Sequence, residues 1–292
     1  MEKAGARHSP ETQRAGILKS QCVDPLDARA IARGLVALGK PLTVEALASC
    51  GSTNTELLSR EGVRGPALLL AEQQTAGRGR RGRRWHSSPG AAIMFSLRWD
   101  FAGDAGRLRG LSLAAGVAIA KALHGLGARG VALKWPNDLL ASVGTGGAKL
   151  GGILIETRSS RDRITAVIGV GLNCRRMPGL ATRLKRKVAT LDELIDPLPA
   201  RNEIIIRIAA ELVRTLALFG NAGFEAFRTE WEAMHANQGQ PLRVRTTGGR
   251  VVAGIADGVG ADGGLILRTR RGVLRVHSGT VVRASSMRGS AA

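Results

Sequence analysis

The sequence predicts an α+β protein in two parts, and three observations lead to that class. Through about residue 234, short apolar or β-branched segments alternate with longer segments whose apolar residues recur at helical spacing. After Gly239 the sequence changes to short Val, Leu, Ile and Arg alternations that GG, DG and RG dipeptides separate. With 292 residues, the chain is long enough to bury a core and to divide into more than one domain.

Helices are predicted where apolar residues recur at helical spacing between recognisable end signals. The first begins with Asp24 and Pro25 and ends before Gly39, and the longest ends before Gly127. The predicted helices cover residues 24–38, 55–60, 107–126, 203–219 and 223–234.

Capping signals predict where two helices begin. Ser52 or Thr53 is the expected N-cap of the helix at residues 55–60, because each offers a hydroxyl acceptor. Thr190 and Glu193 have the spacing of a capping box, which predicts another short helix.

Strands are predicted from short apolar or β-branched runs bounded by turn residues. Pro136 fixes its own φ and ends one strand, so Asn137 and Asp138 are expected in a turn at the carboxyl end of that strand. The polar sequence RSSRDR joins the last two strands as a hairpin. The predicted strands cover residues 43–48, 67–71, 91–99, 131–135, 153–157 and 164–171.

The C-terminal part predicts a small antiparallel barrel of about five strands. Its strand-like segments are PLRVRT, RVVAGIA, GLILRT, GVLRVHS and TVVRA. The residues after Gly239 include nine arginines, two aspartates and no other charged residue. This part of the chain is therefore basic in its own right.

Composition limits the class of protein and its partners. The net charge of +20 suggests an acidic partner, a nucleic acid or a phosphorylated ligand, although an arginine-rich proteome would produce the same balance. No apolar run reaches the roughly 20 residues of a membrane span, and the polar N-terminus lacks a secretory signal. Three cysteines without CxxC spacing favour the reduced cytoplasm over a disulfide framework or a zinc cluster.

The sequence GRGRRG at residues 77–82, followed by Arg83, Arg84 and Trp85, is the most informative motif. Arginine binds phosphate or carboxylate through two parallel hydrogen bonds, and glycine lets backbone N–H groups approach such a ligand. The spacing also fits the dinucleotide-binding pattern, but a Rossmann loop opens a helix at once, whereas Pro89 and Gly90 interrupt any helix here. An RNA-binding segment or a solvated linker is less consistent with its position between two buried strands, where an active-site lid is common.

The other candidate motifs are individually weak. STN after Gly51 suggests hydrogen bonds to a small polar ligand or simply a helix cap. In KWPND, Lys134 and Asp138 fit an ordinary ion pair. Lys149 precedes two glycines and is able to reach an anion, yet alone it resembles a surface lysine. GVGLN at residues 169–173 leaves space for a flat ligand or marks a plain strand end.

No Ser/His/Asp arrangement favours a catalytic triad, and the five histidines lack metal-ligand spacing. Chemistry at this site would therefore work by positioning and electrostatics.

The order of these motifs resembles that of the biotin protein ligases, the biotin–[acetyl-CoA-carboxylase] ligases. STN, AEQQTAGRGRRGRRW, KWPND, KLGGILIE and GVGLN follow in that order, before a helical pair and a small β-domain, over about residues 27–283. The resemblance implies a catalytic domain at residues 26–236 with a mixed sheet like that of class II aminoacyl-tRNA synthetases. It also implies an SH3-like β-barrel at residues 237–286 and a poorly ordered tail at residues 1–25.

The resemblance also implies a two-step reaction that uses ATP, biotin and Mg²⁺. The biotin carboxylate attacks the α-phosphate of ATP, releasing pyrophosphate and giving biotinyl-5′-AMP. The amine of a lysine on a biotin carboxyl carrier protein domain of acetyl-CoA carboxylase, or of a related carboxylase, then attacks the acyl carbonyl and displaces AMP.

The site residues implied by the resemblance form three groups. The catalytic residues are Arg80, Lys149 and Asp138, with Asp138 also implied near Mg²⁺. The biotin-binding residues are Ser52, Thr53, Asn54, Gln74, Gly77, Arg78, Gly79, Arg80, Lys149, Gly151 and Gly152. The residues that bind ATP or the adenylate are Arg78, Arg80, Arg83, Trp85, Lys134, Asn137 and Asn173.

Some members of the family carry an N-terminal winged helix-turn-helix and repress transcription. The short sequence before Gly51 shows no recognition-helix pattern, so we expect a monofunctional ligase without specific DNA binding. We expect no membrane association, a cytoplasmic location and either a monomer or a homodimer. A lipoate–protein ligase and a basic nucleic-acid-binding protein are the alternatives; scarce aromatic residues (3 %) weaken the second.

Overall fold

The computed structural model describes residues 24–62, 65–141, 147–184 and 186–282. The expected N-terminal tail lies outside these residues except for its last two positions, and so does the end of the expected C-terminal domain. No helix within the described ranges is long and apolar enough to cross a membrane.

Six α-helices and twelve strands are present in the described residues. The helices are α1 (Ala28–Ala37), α2 (Thr53–Ser59), α3 (Leu111–Gly125), α4 (Leu180–Leu184), α5 (Arg201–Ala222) and α6 (Arg228–Ala233). The first seven strands are β1 (Thr43–Cys50), β2 (Ala67–Gln74), β3 (Ala92–Ala102), β4 (Val131–Lys134), β5 (Asp138–Ala141), β6 (Ala148–Ser159) and β7 (Arg163–Asn173). The last five are β8 (Pro241–Thr246), β9 (Val251–Val259), β10 (Leu265–Thr269), β11 (Gly272–Val276) and β12 (Gly279–Val282).

Strands β1 to β7 form one mixed sheet in the order β1-β2-β3-β7-β6-β5-β4. The β1–β2 pair is parallel, and the other neighbours are antiparallel. This confirms the mixed α/β architecture expected from the sequence. Strands β8 to β12 form a second, antiparallel sheet in the order β11-β10-β9-β8-β12. The five C-terminal strands predicted from the sequence are thus confirmed as one antiparallel sheet, which fits a small β domain.

The two faces of the seven-stranded sheet have different partners. Ile168 and Leu172 of β7 join the main core with α1, α3 and α5. Val167, on the opposite face, packs with Leu57 of α2 and Leu69 of β2. Alternate residues of a strand point to opposite faces, so the α2 face of β7 also presents its alternating glycines. That face holds the candidate site.

A buried arginine connects α5 to the sheet. The side chain of Arg201 is only 1 % exposed, and its Nη1 and Nη2 atoms each donate to Glu72 of β2 at 2.8 Å. Its backbone N–H and its guanidinium also donate to Asp24. A buried charge is tolerated when it is paired in this way.

The structure corrects two details of the sequence-based prediction. Asp138 was expected in a turn but opens strand β5, where it pairs with Lys134 of β4 and Gly152 of β6. Ser52 occupies the N-cap position of α2, but neither predicted hydroxyl caps the helix. Instead, Gln74 accepts the backbone N–H of the first helical residue at 2.9 Å.

Two other predicted helices start differently from expectation. The helix predicted from residue 107 begins as a separate 3₁₀ turn, Ala105–Leu108, and Gly110 at φ +80° precedes α3. The capping box of Thr190 and Glu193 is confirmed, but the segment that it opens is a single 3₁₀ turn.

Candidate active site

A cavity of about 280 Å³ lies over the α2 face of the seven-stranded sheet. Its floor is formed by β3, β6 and β7, and its walls come from α2, the arginine-rich loop and the β4–β5 turn. Residues 279–281 of β12 also reach it. The second β-sheet therefore contributes to the same cavity as the first.

Glycines keep the floor of the cavity open. A Cβ atom on Gly169 would lie 2.3 Å from Oδ1 of Asn54, and one on Gly171 would lie 2.7 Å from the Trp85 ring. Both distances are too short for real contacts. The alternation of glycine along β7 therefore allows α2 and an indole ring to lie directly on the strand.

Hydrogen bonds fix the neutral end of the cavity. Asn54 is 3 % exposed, donates from Nδ2 to Glu156 Oε2 at 2.9 Å and accepts from Ser96 Oγ at 2.6 Å. Ser96 Oγ also lies 2.7 Å from the Thr53 hydroxyl oxygen. Gln74 accepts from the Thr53 backbone and donates to the Met94 sulfur at 3.2 Å. This end offers oriented polar groups without formal charge.

The other end is cationic and centres on Lys149, whose Nζ donates to Oδ1 of Asp138. Burial lowers the pKa of Lys149, Asp138 opposes that shift, and Arg186 and Arg83 reinforce it. Burial also lowers the pKa of Arg80. These cations are held partly out of water, where their attraction for an anion is stronger than at an open surface.

The arginine-rich loop is folded against the cavity. Arg78 Nη2 donates to Oε1 of Glu156 at 3.0 Å, and Arg80 Nη1 donates to Oδ1 of Asn137 at 3.3 Å. Arg81 adopts φ +58° and donates from Nη1 to the Thr280 hydroxyl at 2.9 Å. The loop is therefore joined to β6, to the β4–β5 turn and to the second sheet.

Comparison with known proteins establishes the family. A model described as the biotin/lipoate A/B protein ligase family matches residues 47–173. The biotin–[acetyl-CoA-carboxylase] ligase of Mycobacterium tuberculosis is 34 % identical over 270 residues, which cover 88 % of this chain and 96 % of that protein. The chain belongs to the biotin protein ligases within this family.

Other relatives agree with that placement. The biotin–[acetyl-CoA-carboxylase] ligase of Paracoccus denitrificans is 35 % identical over 76 % of this chain and 92 % of its own length. A solved biotin protein ligase from Aquifex aeolicus, in complex with biotin and ATP, is 26 % identical and has a TM-score of 0.67. That match covers 82 % of this chain and 97 % of the Aquifex chain.

Most of the residues selected from the ligase motifs line one cavity. These are Ser52, Thr53, Asn54, Gln74, Arg78, Gly79, Arg80, Arg83, Trp85, Lys134, Asn137, Asp138, Lys149 and Gly152. They come from α2, β2, the arginine-rich loop, β4, β5, β6 and the turns between them. The fold therefore brings together motifs that are far apart in the sequence.

Three selected residues do not line that cavity. Gly77 accepts the backbone N–H of Trp85 at 2.9 Å at the base of the loop. A Cβ atom on Gly151 would lie 2.4 Å from the Leu172 side chain, so Gly151 faces that residue. Asn173 uses its side-chain amide to donate to the backbone oxygens of Lys149 and Ala189, each at 3.1 Å. Asn173 lines a smaller neighbouring cavity instead.

Sequence reasoning missed several residues of the site. Arg186 and Thr280 line the cavity, and Glu156 holds both Arg78 and Asn54. Arg186 and Thr280 lie outside the ligase motifs. Glu156 ends the KLGGILIE motif, and its position four residues after Gly152, which places both on one face of the strand, was the available signal.

Proposed function

We propose that this chain is an ATP-dependent biotin–protein ligase, which forms biotinyl-5′-AMP and transfers biotin to a carrier lysine. One observation carries the proposal: a neutral hydrogen-bonding end and a cationic end share one cavity of about 280 Å³. Biotin has a neutral ureido ring at one end and a carboxylate at the other. The relatives named as biotin ligases support this acid over lipoate.

The neutral end would recognise the ureido group through Ser52, Thr53, Asn54 and Gln74. Asn54 and Gln74 are already oriented by Ser96, Glu156 and Met94. Oriented donors and acceptors lose less conformational entropy on binding, which favours a small rigid ring. A Cβ atom on Gly152 would lie 3.1 Å from Lys149 Nζ. Because glycine has no such atom, this position leaves room for the acyl chain between the two ends.

The cationic end would hold the carboxylate and the phosphates close enough to react. Two anions repel each other, so fixed positive charge is needed to bring the carboxylate within reach of the α-phosphate. The carboxylate oxygen attacks the α-phosphorus, the P–O bond to the pyrophosphate breaks, and pyrophosphate leaves. Arg80, Arg83 and Lys149 would stabilise the negative charge on the transferring phosphoryl group.

In the second step the acceptor lysine attacks the acyl carbonyl of biotinyl-5′-AMP as a neutral amine. A C–N bond forms, the bond from the acyl carbon to the phosphate oxygen breaks, and AMP leaves with its electron pair. The amine proton must be lost, and we assign its acceptance to Asp138, a carboxylate that lines the cavity. We assign the adenine side of the adenylate to Trp85, Lys134, Asn137 and Asn173, although Asn173 acts through the backbone of Lys149.

Magnesium would enter with ATP and would screen phosphate charge. Among the described residues, Asp138 is the one carboxylate that lines the cavity, and no group of three or more His, Cys, Asp and Glu residues is able to enclose a metal. Mg²⁺ commonly binds through one or two carboxylates together with substrate phosphates. Asp138 therefore fits a Mg²⁺ that the nucleotide brings.

We propose that residues 26–236 form the catalytic domain and residues 237–286 an SH3-like barrel domain that helps to close the cavity. The acceptor would be the carrier domain of a carboxylase, in the cytoplasm. We assign the surplus positive charge of +20 to attraction for an acidic carrier. A carrier-saturation constant that does not change with ionic strength would contradict that assignment.

Pyrophosphate exchange into ATP tests the proposal. Purified protein with Mg²⁺ and either biotin or lipoate is the assay, and exchange that requires biotin is the expected result. Exchange with lipoate alone would change the substrate within the same family. Exchange with neither acid would overturn the ligase proposal and favour the basic nucleic-acid-binding alternative.

A further inference from the structure

Arg186 follows α4 and is placed by backbone pairing beside Lys149. The N–H of Lys149 donates to the carbonyl of Lys187 at 3.0 Å, and the N–H of Ala189 donates to the carbonyl of Lys149 at 3.0 Å. These two bonds hold the segment against the first residues of β6. The position of Arg186 is therefore coupled to that of the lysine assigned to the reaction.

The side chain of Arg186 is half-buried and lines the cavity. Its Nε is buried and has no hydrogen-bond partner within the described part of the chain, where Arg186 also forms no ion pair. Asp138 is close enough to act on its charge, but the oxygen Oδ1 of Asp138 already accepts from Lys149. A buried donor without an acceptor destabilises the fold, so a bound acceptor would explain its placement.

A second unpartnered donor shares this space. Trp85 Nε1 is also buried without a hydrogen-bond partner among the residues described. Trp85 and Arg186 line both the main cavity and the smaller cavity beside it. Two buried N–H donors from separate segments border the same space, which indicates a ligand rich in acceptor atoms.

The charge of the cavity identifies the class of that ligand. Among the described residues, eight arginine and lysine side chains line it, against the single carboxylate of Asp138. A carboxylate ligand would need far fewer cations, whereas a triphosphate carries about four negative charges near neutral pH, and arginine is suited to its oxygens. Arg83, on the arginine-rich loop, lines the same cavity as Arg186.

We propose that Arg186 is a further substrate-binding residue, which contacts a phosphate group of the nucleotide together with the arginine-rich loop. This inference rests on the proposed function. The segment after α4 thereby contributes a cation that no recognised motif of the sequence contains.

Calorimetric binding to the full-length chain tests the inference. The probes are the unreactive analogue α,β-methylene-ATP with Mg²⁺, adenosine, and biotin, each added separately. R186Q removes the charge but keeps a polar side chain, and R186K keeps a charge without the fork. R183Q is the matched control, since Arg183 is an exposed arginine of α4 and its loss changes the net charge equally.

R186Q should weaken binding of the triphosphate analogue about 10- to 100-fold, the effect of losing a hydrogen bond to a charged group. R186K should fall between R186Q and the unchanged chain. The affinities of R186Q for adenosine and for biotin should stay within about twofold of those of the unchanged chain. A variant with a collapsed site would lose these affinities too. R183Q should bind all three probes like the unchanged chain.

Two results would overturn the inference. One is equal triphosphate affinity in R186Q and R183Q, and the other is an equal loss of adenosine and triphosphate binding in R186Q. Absence of nucleotide binding by the unchanged chain would overturn both the inference and the ligase proposal. Nucleotide binding without biotin-dependent pyrophosphate exchange would remove the ligase proposal alone and leave Arg186 as an anion-binding residue.

Discussion

Arg78 and Glu156 form an ion pair between the arginine-rich loop and strand β6, with Nη2 3.0 Å from Oε1. The other carboxylate oxygen of Glu156 accepts from Asn54 on α2 at 2.9 Å. One carboxylate thus orients the loop and a residue assigned to the biotin ring. Because Glu156 lies outside the cavity lining, it is a positioning residue.

Replacing Glu156 should weaken biotin binding more than it slows catalysis. E156Q keeps an acceptor for Asn54 but loses the partly exposed pair with Arg78, worth about 1 kcal/mol or less, so the KM for biotin should rise about two- to fivefold. E156A also removes the Asn54 acceptor and should raise it about 10-fold or more. Steady-state kinetics with biotin varied would measure both.

The partly exposed ion pair of Glu45 and Arg60 provides the control. E45Q removes a similar ion pair away from the cavity and should leave the KM for biotin unchanged. Equal effects of E45Q and E156Q would show that Glu156 has no positioning role.

Loss of a buried cation at the reacting end should slow adenylation itself. Lys149→Ala or Arg80→Ala should reduce the single-turnover rate of adenylate formation about 10²-fold or more, the usual effect of removing an electrostatic stabiliser. Quenched-flow measurement of biotinyl-5′-AMP gives the rate. A rate near that of the unchanged chain in either variant would contradict the assigned role.

The elements that sequence patterns predicted best are those whose periodicity covers many residues. Helix α5 and strand β7 were predicted close to their observed positions because burial imposes a period of 3.6 or 2. Strand β5 was missed, since DLLA is four residues long and follows a proline turn. A segment that short gains its strand conformation from β4 and β6, and no local signal reports those neighbours.

Site residues could be predicted where several of them lie in one short segment. They could not be predicted where their role depends on contacts with residues distant in the sequence. The GRGRRG segment was recognisable from its own composition. Thr280 was not, because its role depends on Arg81, which is 199 positions earlier. The failed Ser52 cap has the same origin, since Gln74 of β2 supplies the acceptor instead. Side chains from other elements satisfied groups that local rules had assigned to near neighbours.

A methyl group on the cavity floor should disrupt the site. In G169A the new Cβ would lie 2.3 Å from Oδ1 of Asn54, which its hydrogen bonds prevent from moving freely. We expect a loss of biotin affinity of at least about 10-fold and a lower melting temperature, as for other overpacked sites. Biotin titration and thermal melts would measure these.

Gly220 of α5 offers the matched control. A Cβ there would meet Phe101 at 3.6 Å, an ordinary contact, and alanine favours a helix interior over glycine by about 1 kcal/mol. G220A should therefore keep its biotin affinity and melt at the same or a higher temperature. If G169A binds biotin as tightly as G220A does, the glycine floor is not required.

The contact between the second sheet and the loop should contribute modestly to substrate binding. T280V removes the hydroxyl that accepts from Arg81 while preserving side-chain shape. A single hydrogen bond contributes about 0.5–1.5 kcal/mol. The KM values of T280V for its substrates should therefore rise about two- to tenfold. T269V, on β10, is the control, and equal KM values for the two variants would refute the coupling.

The alkaline limb of the adenylation rate should report the ionisation of Lys149. Burial holds its pKa below the ordinary 10.5. The ammonium exists only below that pKa, so the rate that depends on it should fall as pH rises through a value lower than that of a free lysine. Arginine stays charged throughout this range. The residual adenylation of K149R, measured from about pH 7 to about pH 10, should therefore lack the limb. An identical alkaline limb in K149R and in the unchanged chain would assign that ionisation to another group.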